Sequence, residues 1–352
     1  MLRKPWFISS VTRSASEGSV CSSLALRARL PRPTRPLELS IVIPCHNRAD
    51  LLRACLASVI RHAPAGVEVI VVDDGSVEGT ASTAAAEFSS VKIVRLPERS
   101  GFCAAANAGI RAATKPIVEL LNDDTEVTAG WAEAALAWFA DPTVAAVAPL
   151  VLRWPGDADA ELLIDSAGDN YYRGGVPGKR GRGEPLGPAY LRPRRVFGAS
   201  ASSAFYRRDT LLRVGAFPRK FGAYFEDVDL AFRLHRAGYD VIFEPASRVL
   251  HHVAASHGPP DRRLLAQQSR NEERVFWRNL PVRALLRALP AHVAVLAGKA
   301  WRRWREGTLW PFIRGRLRVL AEVPQLLRHR RRLRRLGGAD FARWQVESIW
   351  WG

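Results

Sequence analysis

Apolar runs rich in β-branched residues alternate with segments of helical periodicity in the first third of the chain. The run "LELSIVIPCHN" (37–47) is typical of a buried parallel strand. After it, apolar side chains stand at positions 51, 52, 55, 56, 59 and 60, which is the spacing of an amphipathic helix. The same order recurs with "VEVIVVDDGS", "VKIVRLPE" and "KPIVELLNDD" as further strands. The short connections predict an α/β fold with a doubly wound, mostly parallel sheet and flanking helices.

The pattern becomes less regular after Trp131. One helix and one strand are expected next, and then residues 153–195 are rich in Gly, Pro and Arg with little periodicity. A long irregular segment inside a compact domain is typical of a functional loop or lid. We therefore predict three parts, namely a leader (1–36), a globular unit (37–280) and a basic, amphipathic helical tail (281–352).

The formal net charge of +18 is carried by the two ends of the chain. Residues 1–36 contain seven Lys and Arg against one acid, and residues 261–343 contain twenty-one against six. Residues 37–260 have a net charge of −2. A nearly neutral body with a cationic tail suggests that the tail meets a polyanion.

Neither a transmembrane helix nor a secretory signal is predicted. The longest apolar stretch is interrupted by Asp141 and Pro142, and the N-terminal residues lack the apolar core of a signal peptide. Residues 1–36 are therefore expected to be a basic, disordered leader, or the product of a start codon assigned too early. The cysteines have no metal-ligand spacing, and reduced thiols in a cytosolic protein fit them best. They are Cys21, Cys45, Cys55 and Cys103.

Carboxylates cluster where two predicted strands end. Asp73-Asp74 follow the second strand, and Asn122-Asp123-Asp124 follow the fourth. Open α/β sheets bind ligands at the carboxyl ends of their strands, so both clusters should share one edge. Such acids can bind a divalent cation, which completes its shell with phosphate oxygens and water, or a nucleoside. They can equally cap the next helix, and the pairs alone do not decide between these roles.

Two further clusters follow in the second half. Glu226, Asp227 and Asp229 put three negative charges at a predicted helix start, where a cap needs only one. Crowded carboxylates raise one another's pKa, which is one way to tune a general base. His251-His252 follow a strand-like run and are either a surface pair or a source of metal ligands.

Seven segments stand in the order and spacing seen in one enzyme family. They are "SIVIPCHNRADLLRACLASV", "EVIVVDDGSVEGT", "SGFCAAANAGI", "VELLNDDTEVTAGW", "GASASSAFYRRDTLLRVGAF", "YFEDVDLAFRLHRAGY" and "VLHH". Over about residues 38–280 the chain resembles family-two inverting glycosyltransferases, and most of all their rhamnosyltransferase-like, cell-envelope branch. The resemblance implies a GT-A fold with a nucleotide-binding half (37–131) and an acceptor-binding half (132–280).

The resemblance also implies roles for single residues. Those expected to bind a nucleotide-sugar are Pro44, Asp73, Asp74, Gly101, Asn107, Asn122 and Asp123. Asp124, with Asp123 and His251, would hold Mn²⁺ or Mg²⁺, and His252 is the alternative histidine. Asp227 would be the general base, with Glu226 and Asp229 as supporting acids. Two positions depart from the wider family: Asn122 opens the DxD motif, and Arg99 stands where many relatives have Asn.

The implied reaction is inverting transfer of a sugar in cell-envelope polysaccharide synthesis. The donor would be a dTDP- or UDP-sugar, with dTDP-rhamnose as the leading candidate, and the acceptor a glycan or lipid-linked glycan. An inactive nucleotide-sugar-binding or scaffold subunit is the alternative, but it would lack acids at the motif positions. A nucleotidyltransferase would show a Gly-rich phosphate loop where this chain has "PCHNRAD".

The tail alternates Leu, Val and Trp with Arg over 282–336, in helical segments that we expect to be cut by prolines. These are Pro290, Pro311 and Pro324. A basic helix set with Trp301, Trp304 and Trp310 at headgroup level is typical of an anionic membrane surface. Nucleic acid is the alternative polyanion, but no nucleic-acid motif accompanies the cluster. A helical bundle packed on the globular unit is a third interpretation. We expect a cytoplasmic enzyme that is peripheral on the inner face of the membrane.

Overall fold

The computed structural model describes residues 38–155, 161–253, 261–337 and 345–346. The predicted leader 1–36 and Cys21 lie outside these ranges, as does most of the chain after residue 337. The three described cysteines are free and buried.

Strands and helices alternate along the chain. The strands are β1 (Leu39–Cys45), β2 (Glu68–Asp73), β3 (Val91–Arg95), β4 (Ile117–Leu121), β5 (Thr125–Val127), β6 (Val144–Arg153), β7 (Ile164–Ser166), β8 (Asp169–Tyr172), β9 (Pro177–Lys179), β10 (Arg194–Val196), β11 (Ser203–Arg207), β12 (Asp240–His251) and β13 (Gln345–Val346). The helices are α1 (Ala49–His62), α2 (Thr80–Ala86), α3 (Phe102–Ala112), α4 (Trp131–Leu136), α5 (Arg208–Val214), α6 (Glu226–Arg236), α7 (Arg262–Asn279), α8 (Val282–Arg305), α9 (Leu309–Leu317) and α10 (Val323–Arg335).

The first half is the parallel sheet that the sequence predicts. Strands β3, β2, β1 and β4 lie side by side in that order, and every neighbouring pair is parallel. Helix α3 packs closely on this sheet at Gly109. A Cβ atom there would lie 2.2 Å from Val42 and 2.9 Å from Val72, so the close approach of α3 to β1 and β2 requires glycine.

The second half makes the sheet mixed, so the prediction of a mostly parallel sheet holds only for the first half. β11 pairs antiparallel with both β4 and β6, whereas β6 and β12 are parallel. Ser203 pairs with Leu121 at the carboxyl end of β4, so β11 begins at that edge and must run back across the sheet. The preceding segment ends at the carboxyl edge of β4, and β11 is therefore antiparallel to β4.

The segment 153–195 contains more regular structure than its composition indicates. β7 pairs with β6, β10 pairs with β12, and β8 and β9 form a separate small sheet with β13. The prediction of an irregular loop is therefore wrong, because short strands joined by tight glycine turns show almost no periodicity. A lid function for this segment stays a prediction.

The tail helices pack against α7 through buried ion pairs. Glu272 contacts Lys299 and Arg316, and Arg316 also contacts Glu273. Glu322 accepts a hydrogen bond from the Arg274 Nε at 2.6 Å. Part of the positive charge of the tail therefore neutralises acids inside the protein.

The tail prolines do not all behave as predicted. The prediction that Pro290 cuts the helix is wrong, because α8 continues through it at the loss of one backbone N–H. Pro311 and Pro324 lie in the first turns of α9 and α10, where a missing N–H leaves no hydrogen bond unmade. In the part of the chain that the structure describes, no helix combines the length and apolar character needed to span a membrane.

Candidate active site

The acids after β2 fasten two loops at the carboxyl edge of the sheet. Asp73 accepts hydrogen bonds from the Ser76 N–H at 2.8 Å and from the Ser82 hydroxyl at 2.5 Å. Asp74 accepts from the N–H groups of Ser100 at 2.7 Å and Gly101 at 2.8 Å. Burial alone would raise the pKa of Asp73, but the Ser82 and Ser76 hydrogen bonds hold it below its ordinary value. Both acids therefore shape the edge where a nucleoside is predicted, with Pro44 on the neighbouring strand.

Asn107 holds a second loop in place. Its amide donates to the Phe217 carbonyl at 2.7 Å and accepts from the Phe217 N–H at 3.0 Å. This double pairing fixes the chain just after α5. Contact of Asn107 with a nucleotide-sugar stays a prediction.

The acids after β4 meet a histidine and an arginine. The Asp124 carboxylate lies 3.1 Å from the His251 Nε2 and 3.0 Å from the Arg48 Nη1, which also lies 3.4 Å from Asp123. Strand pairing explains the encounter, because His251 ends β12 opposite Thr125, the first residue of β5. Burial raises the pKa of Asp123 to about 6. Burial also acts to raise that of Asp124, but His251 and Arg48 bring it below its ordinary value.

A second contact chain continues from His251. Its Nδ1 lies 3.1 Å from the Asp165 Oδ2, and the Lys179 Nζ lies 2.6 Å from the same oxygen. His252 turns elsewhere, with its Nε2 3.0 Å from Glu126 and its ring stacked on Trp154. Of the two histidines, His251 is the one that the fold brings to Asp124.

The donor set suits a divalent cation. A carboxylate oxygen of Asp124 and the imidazole Nε2 of His251 face each other, and Mn²⁺ accepts both kinds of ligand. Across the described ranges, no three His, Cys, Asp or Glu side chains are gathered as a ready-made metal cluster. Phosphate oxygens and water would therefore supply the rest of the coordination shell.

Asp227 lies at the start of α6 and is half-buried. Its carboxylate accepts hydrogen bonds from the Ala201 N–H at 3.1 Å and the Val228 N–H at 2.8 Å. The two residues before α6, Tyr224 and Phe225, have φ values of 72° and 66°, which non-glycine residues rarely adopt. This strained turn aims the first acids of the helix at the edge of the sheet.

Two buried acids accompany Asp227. Glu226 and Asp169 each have a buried carboxylate oxygen that has no hydrogen-bond partner among the described residues. Burial and the Asp227 charge raise the pKa of both well above the ordinary range. Burial also raises the pKa of Asp227, although its two backbone donors oppose the shift. Their charges act on one another, so ionisation of one of the three acids disfavours ionisation of the other two.

Asp229 serves a different purpose. It is fully buried and contacts the Arg233 Nε at 3.0 Å, the Arg278 Nε at 3.0 Å and the Asn279 amide at 2.8 Å. Burial acts to raise its pKa, but Arg278 and Arg233 bring it well below the ordinary range. Asp229 thus anchors α6 to α7, and a share in the base chemistry stays a prediction.

One short loop joins the two acid groups. The Ser202 carbonyl accepts from the Asn122 N–H at 2.9 Å, and the Ala201 N–H donates to Asp227. Asp124 and Asp227 are far apart in sequence, but this loop brings their segments to the same edge of the sheet.

Four residues at this edge were not identified from the sequence. They are Arg48, Asp165, Asp169 and Lys179. Arg48 could have been identified from the sequence, because it follows the end of β1 at the edge where the ligand is predicted to bind. The other three are single charged residues in the segment that reads as irregular, so no spacing distinguishes them.

Comparison with known proteins identifies the domain. Residues 40–212 match the model of glycosyl transferase family 2. The pre-mycofactocin glycosyltransferase of Mycobacterium tuberculosis is 31% identical over 218 residues, which cover 61% of this chain and 42% of that protein. This chain thus spans less than half the length of that relative. The N-acetylglucosaminyl-diphospho-decaprenol L-rhamnosyltransferase of Mycobacterium tuberculosis is 28% identical over 289 residues, covering 73% of this chain and 92% of that protein.

Solved structures share the fold. The mannosyltransferase PcManGT from Pyrobaculum calidifontis, in complex with GDP-Man and Mn²⁺, superposes with a TM-score of 0.52 and 22% sequence identity. The match covers 87% of this chain and 86% of the PcManGT chain. GalNAc-T7 with UDP, GalNAc and Mn²⁺ superposes with a TM-score of 0.55 and 19% sequence identity, and the match covers 70% of this chain and 48% of the GalNAc-T7 chain. The predicted family-two domain and fold are confirmed, while the rhamnosyltransferase-like branch stays a prediction. This chain carries a glycosyltransferase family 2 domain with a GT-A-like α/β fold.

Proposed function

We propose that the protein is an inverting, divalent-metal-dependent glycosyltransferase that moves a sugar from a nucleotide-sugar to a glycan or lipid-linked acceptor of the cell envelope. One observation carries the proposal. A half-buried carboxylate held by two backbone donors, Asp227, shares an edge of the sheet with the Asp124–His251 pair through the loop 200–202.

In this reaction an acceptor hydroxyl attacks the anomeric carbon from the face opposite the diphosphate. The oxygen–carbon bond forms as the bond to the diphosphate breaks, and the hydroxyl proton passes to Asp227. Proton transfer of this kind needs the base within about 2.6–3.2 Å of the hydroxyl oxygen. The Ala201 and Val228 N–H groups favour the ionised form of Asp227, which is the form that accepts a proton.

Asp124 and His251 are the residues that would hold Mn²⁺ or Mg²⁺ together with the donor diphosphate. The bound cation would neutralise charge on the departing phosphate. Asp123 is the neighbouring acid, and Arg48 contacts both carboxylates. The Mn²⁺ in the complexes of PcManGT and GalNAc-T7 supports this assignment by analogy.

The donor is a dTDP- or UDP-sugar, with dTDP-rhamnose as the first candidate. The support is the similarity to an L-rhamnosyltransferase along 92% of that relative's length. The name of that relative includes a diphospho-decaprenol acceptor, so a lipid-linked acceptor is the matching choice here.

A panel of nucleotide-sugars with and without Mn²⁺ tests the proposal by thermal shift. A ligand that binds only the folded state stabilises it by about 2.7 kcal/mol at a hundred-fold excess over Kd. The correct donor should therefore raise the melting temperature, and it should do so only with Mn²⁺ because the cation is proposed to hold its diphosphate. Asp124→Ala should abolish the Mn²⁺-dependent part of the shift. Asp209→Ala, on an exposed surface, is the matched control and should behave as wild type. A donor shift of equal size without metal, or in Asp124→Ala, would contradict the metal assignment.

The tail holds the enzyme on the cytoplasmic face of the membrane. Trp301, Trp304 and Trp310 are 59%, 66% and 67% exposed, and Trp301 and Trp304 are one turn apart on α8. Exposed Trp beside Arg is typical of helices that lie on anionic lipid. A lipid-linked acceptor would be presented on the same surface.

Vesicle co-sedimentation of the full chain tests the membrane assignment. Wild type should pellet with vesicles that contain phosphatidylglycerol and not with pure phosphatidylcholine, and less of it should pellet as salt rises. Replacing the three Trp by Ser should lower the partition coefficient by about ten-fold for each side chain that inserts. Leu191→Ser with Leu212→Ser, at exposed sites outside the tail, is the control. If the full chain does not pellet with anionic vesicles but retards the migration of DNA in a gel at physiological salt, nucleic acid is the partner instead.

A further inference from the structure

His251 contacts an acid with each of its ring nitrogens. Nε2 faces Asp124, and Nδ1 faces Asp165 on a different strand. We propose that Asp165 is a positioning residue, supported by Lys179, that fixes the ring of His251 so that Nε2 is presented to the cation at Asp124. This inference rests on the proposed function, because it concerns the metal site assigned there.

The local backbone places Asp165 for this task. In the pairing of β7 with β6, Ile164 lies opposite Leu152 and Ser166 lies opposite Val151. Two steps along β7 therefore match one step along β6, which makes Asp165 the extra residue of a bulge. Bulges redirect a side chain and are common beside active sites. His251 reaches the same place from the other side of β6, since it pairs with Arg153.

The contacts determine which ring nitrogen carries the hydrogen. Lys179 can only donate, and its Nζ lies 2.6 Å from the Asp165 Oδ2, so this carboxylate oxygen is an acceptor. The His251 Nδ1, 3.1 Å from the same oxygen, must then be the donor. In the neutral ring this leaves the Nε2 lone pair facing the Asp124 oxygen at 3.1 Å. A hydrogen on Nε2 can bridge the two atoms at this distance, and a bound cation would take its place with both atoms as ligands.

Burial makes the arrangement rigid. Asp165 is 1% exposed and His251 is 8% exposed. A buried carboxylate is costly unless it is paired, and the Lys179 Nζ, 2.6 Å from Asp165, provides a partner of opposite charge. A carboxylate behind a ligating histidine fixes the ring orientation and raises its basicity, and losing it typically weakens metal binding by about 10–100-fold.

Mn²⁺ binding by the full chain, measured by electron paramagnetic resonance with dTDP and again with UDP, tests the inference without any turnover. Asp165→Asn should weaken Mn²⁺ binding by about 10–100-fold. His251→Gln should weaken it at least as much. The double variant should bind no more weakly than His251→Gln alone, because Asp165 acts only through that ring. Asp240→Asn is the matched control, since Asp240 is paired with Arg195 at 2.9 Å at the opposite end of the same strand as His251.

The outcomes separate this inference from the proposed function. If His251→Gln leaves Mn²⁺ affinity unchanged, the metal assignment itself fails. If His251→Gln weakens binding but Asp165→Asn does not, or if the two losses add in the double variant, only the role of Asp165 is overturned. If Asp165→Asn does not fold, Lys179→Met decides instead: it should weaken Mn²⁺ binding in the same direction, and an unchanged affinity would overturn the inference.

Discussion

Replacing Asp227 by Asn should lower kcat by about 10²–10⁴-fold, because the amide cannot take the acceptor proton. Asn has nearly the same shape as Asp, but its NH₂ group would face one of the two backbone N–H groups that donate to the Asp227 carboxylate in the wild type. Donor binding should survive, since Asp227 lies on α6 whereas the proposed nucleotide and cation residues lie on other elements. The measurement is steady-state turnover together with the Mn²⁺-dependent thermal shift, which reports donor binding separately.

Glu226→Gln is the matched control for Asp227→Asn. Burial and the Asp227 charge raise the pKa of Glu226 well above its ordinary value, which favours its neutral form, and Gln has the shape of that form. Its effect on kcat should therefore be much smaller than that of Asp227→Asn. Near-normal turnover in Asp227→Asn would move the role of base to Glu226 or Asp229.

Replacing Asp229 by Ala should lower the free energy of unfolding by about 3–5 kcal/mol, because it leaves the buried Arg233 and the partly buried Arg278 without their shared acid. Arg233 and Arg278 both lie 3.0 Å from this carboxylate. Urea unfolding measures the change, and Asp209→Ala, an exposed acid on α5, should behave as wild type.

The effect of Asp229→Ala should depend on pH. The pKa of Asp229 is depressed in the folded protein, so its stabilising effect is complete above the unfolded pKa of about 3.9 and is lost as pH falls toward the folded value. The difference between wild type and variant should therefore shrink in acid. A difference that is small at pH 7, or that grows in acid, would show that the pairs with Arg233 and Arg278 do not stabilise the fold.

The first half of the fold was predictable because two simple rules agree there. Buried parallel strands read as apolar runs, and ligands meet the carboxyl ends of such strands. These rules find β1, β2 and β4 and point to Asp73, Asp74, Asp123 and Asp124. They do not distinguish an acid that meets a ligand from one that fastens a loop, and hydrogen bonds from Ser76 and Ser82 give Asp73 the second role.

The second half was harder to predict because its contacts join distant short strands. Asp165 depends on a bulge, and Lys179 on a three-residue strand, neither of which leaves a periodic signal. The anchoring role of Asp229 had one local signal, an arginine four residues later on the same helix. Its second partner, Arg278, is 49 positions further along the chain and only the folded structure reveals it.

The loop 200–202 has a consequence for how such enzymes diverge. It ties the segment before Asp123 to Asp227, the proposed base, through main-chain atoms, the Ser202 carbonyl and the Ala201 N–H. Every residue type except proline offers both groups, so the two hydrogen bonds that link the proposed leaving-group site to the proposed base need no particular side chain in the loop. Because residues 200–202 are buried, exchanging their side chains would change the packing around the loop, while the main-chain tie between the two acid groups would remain available.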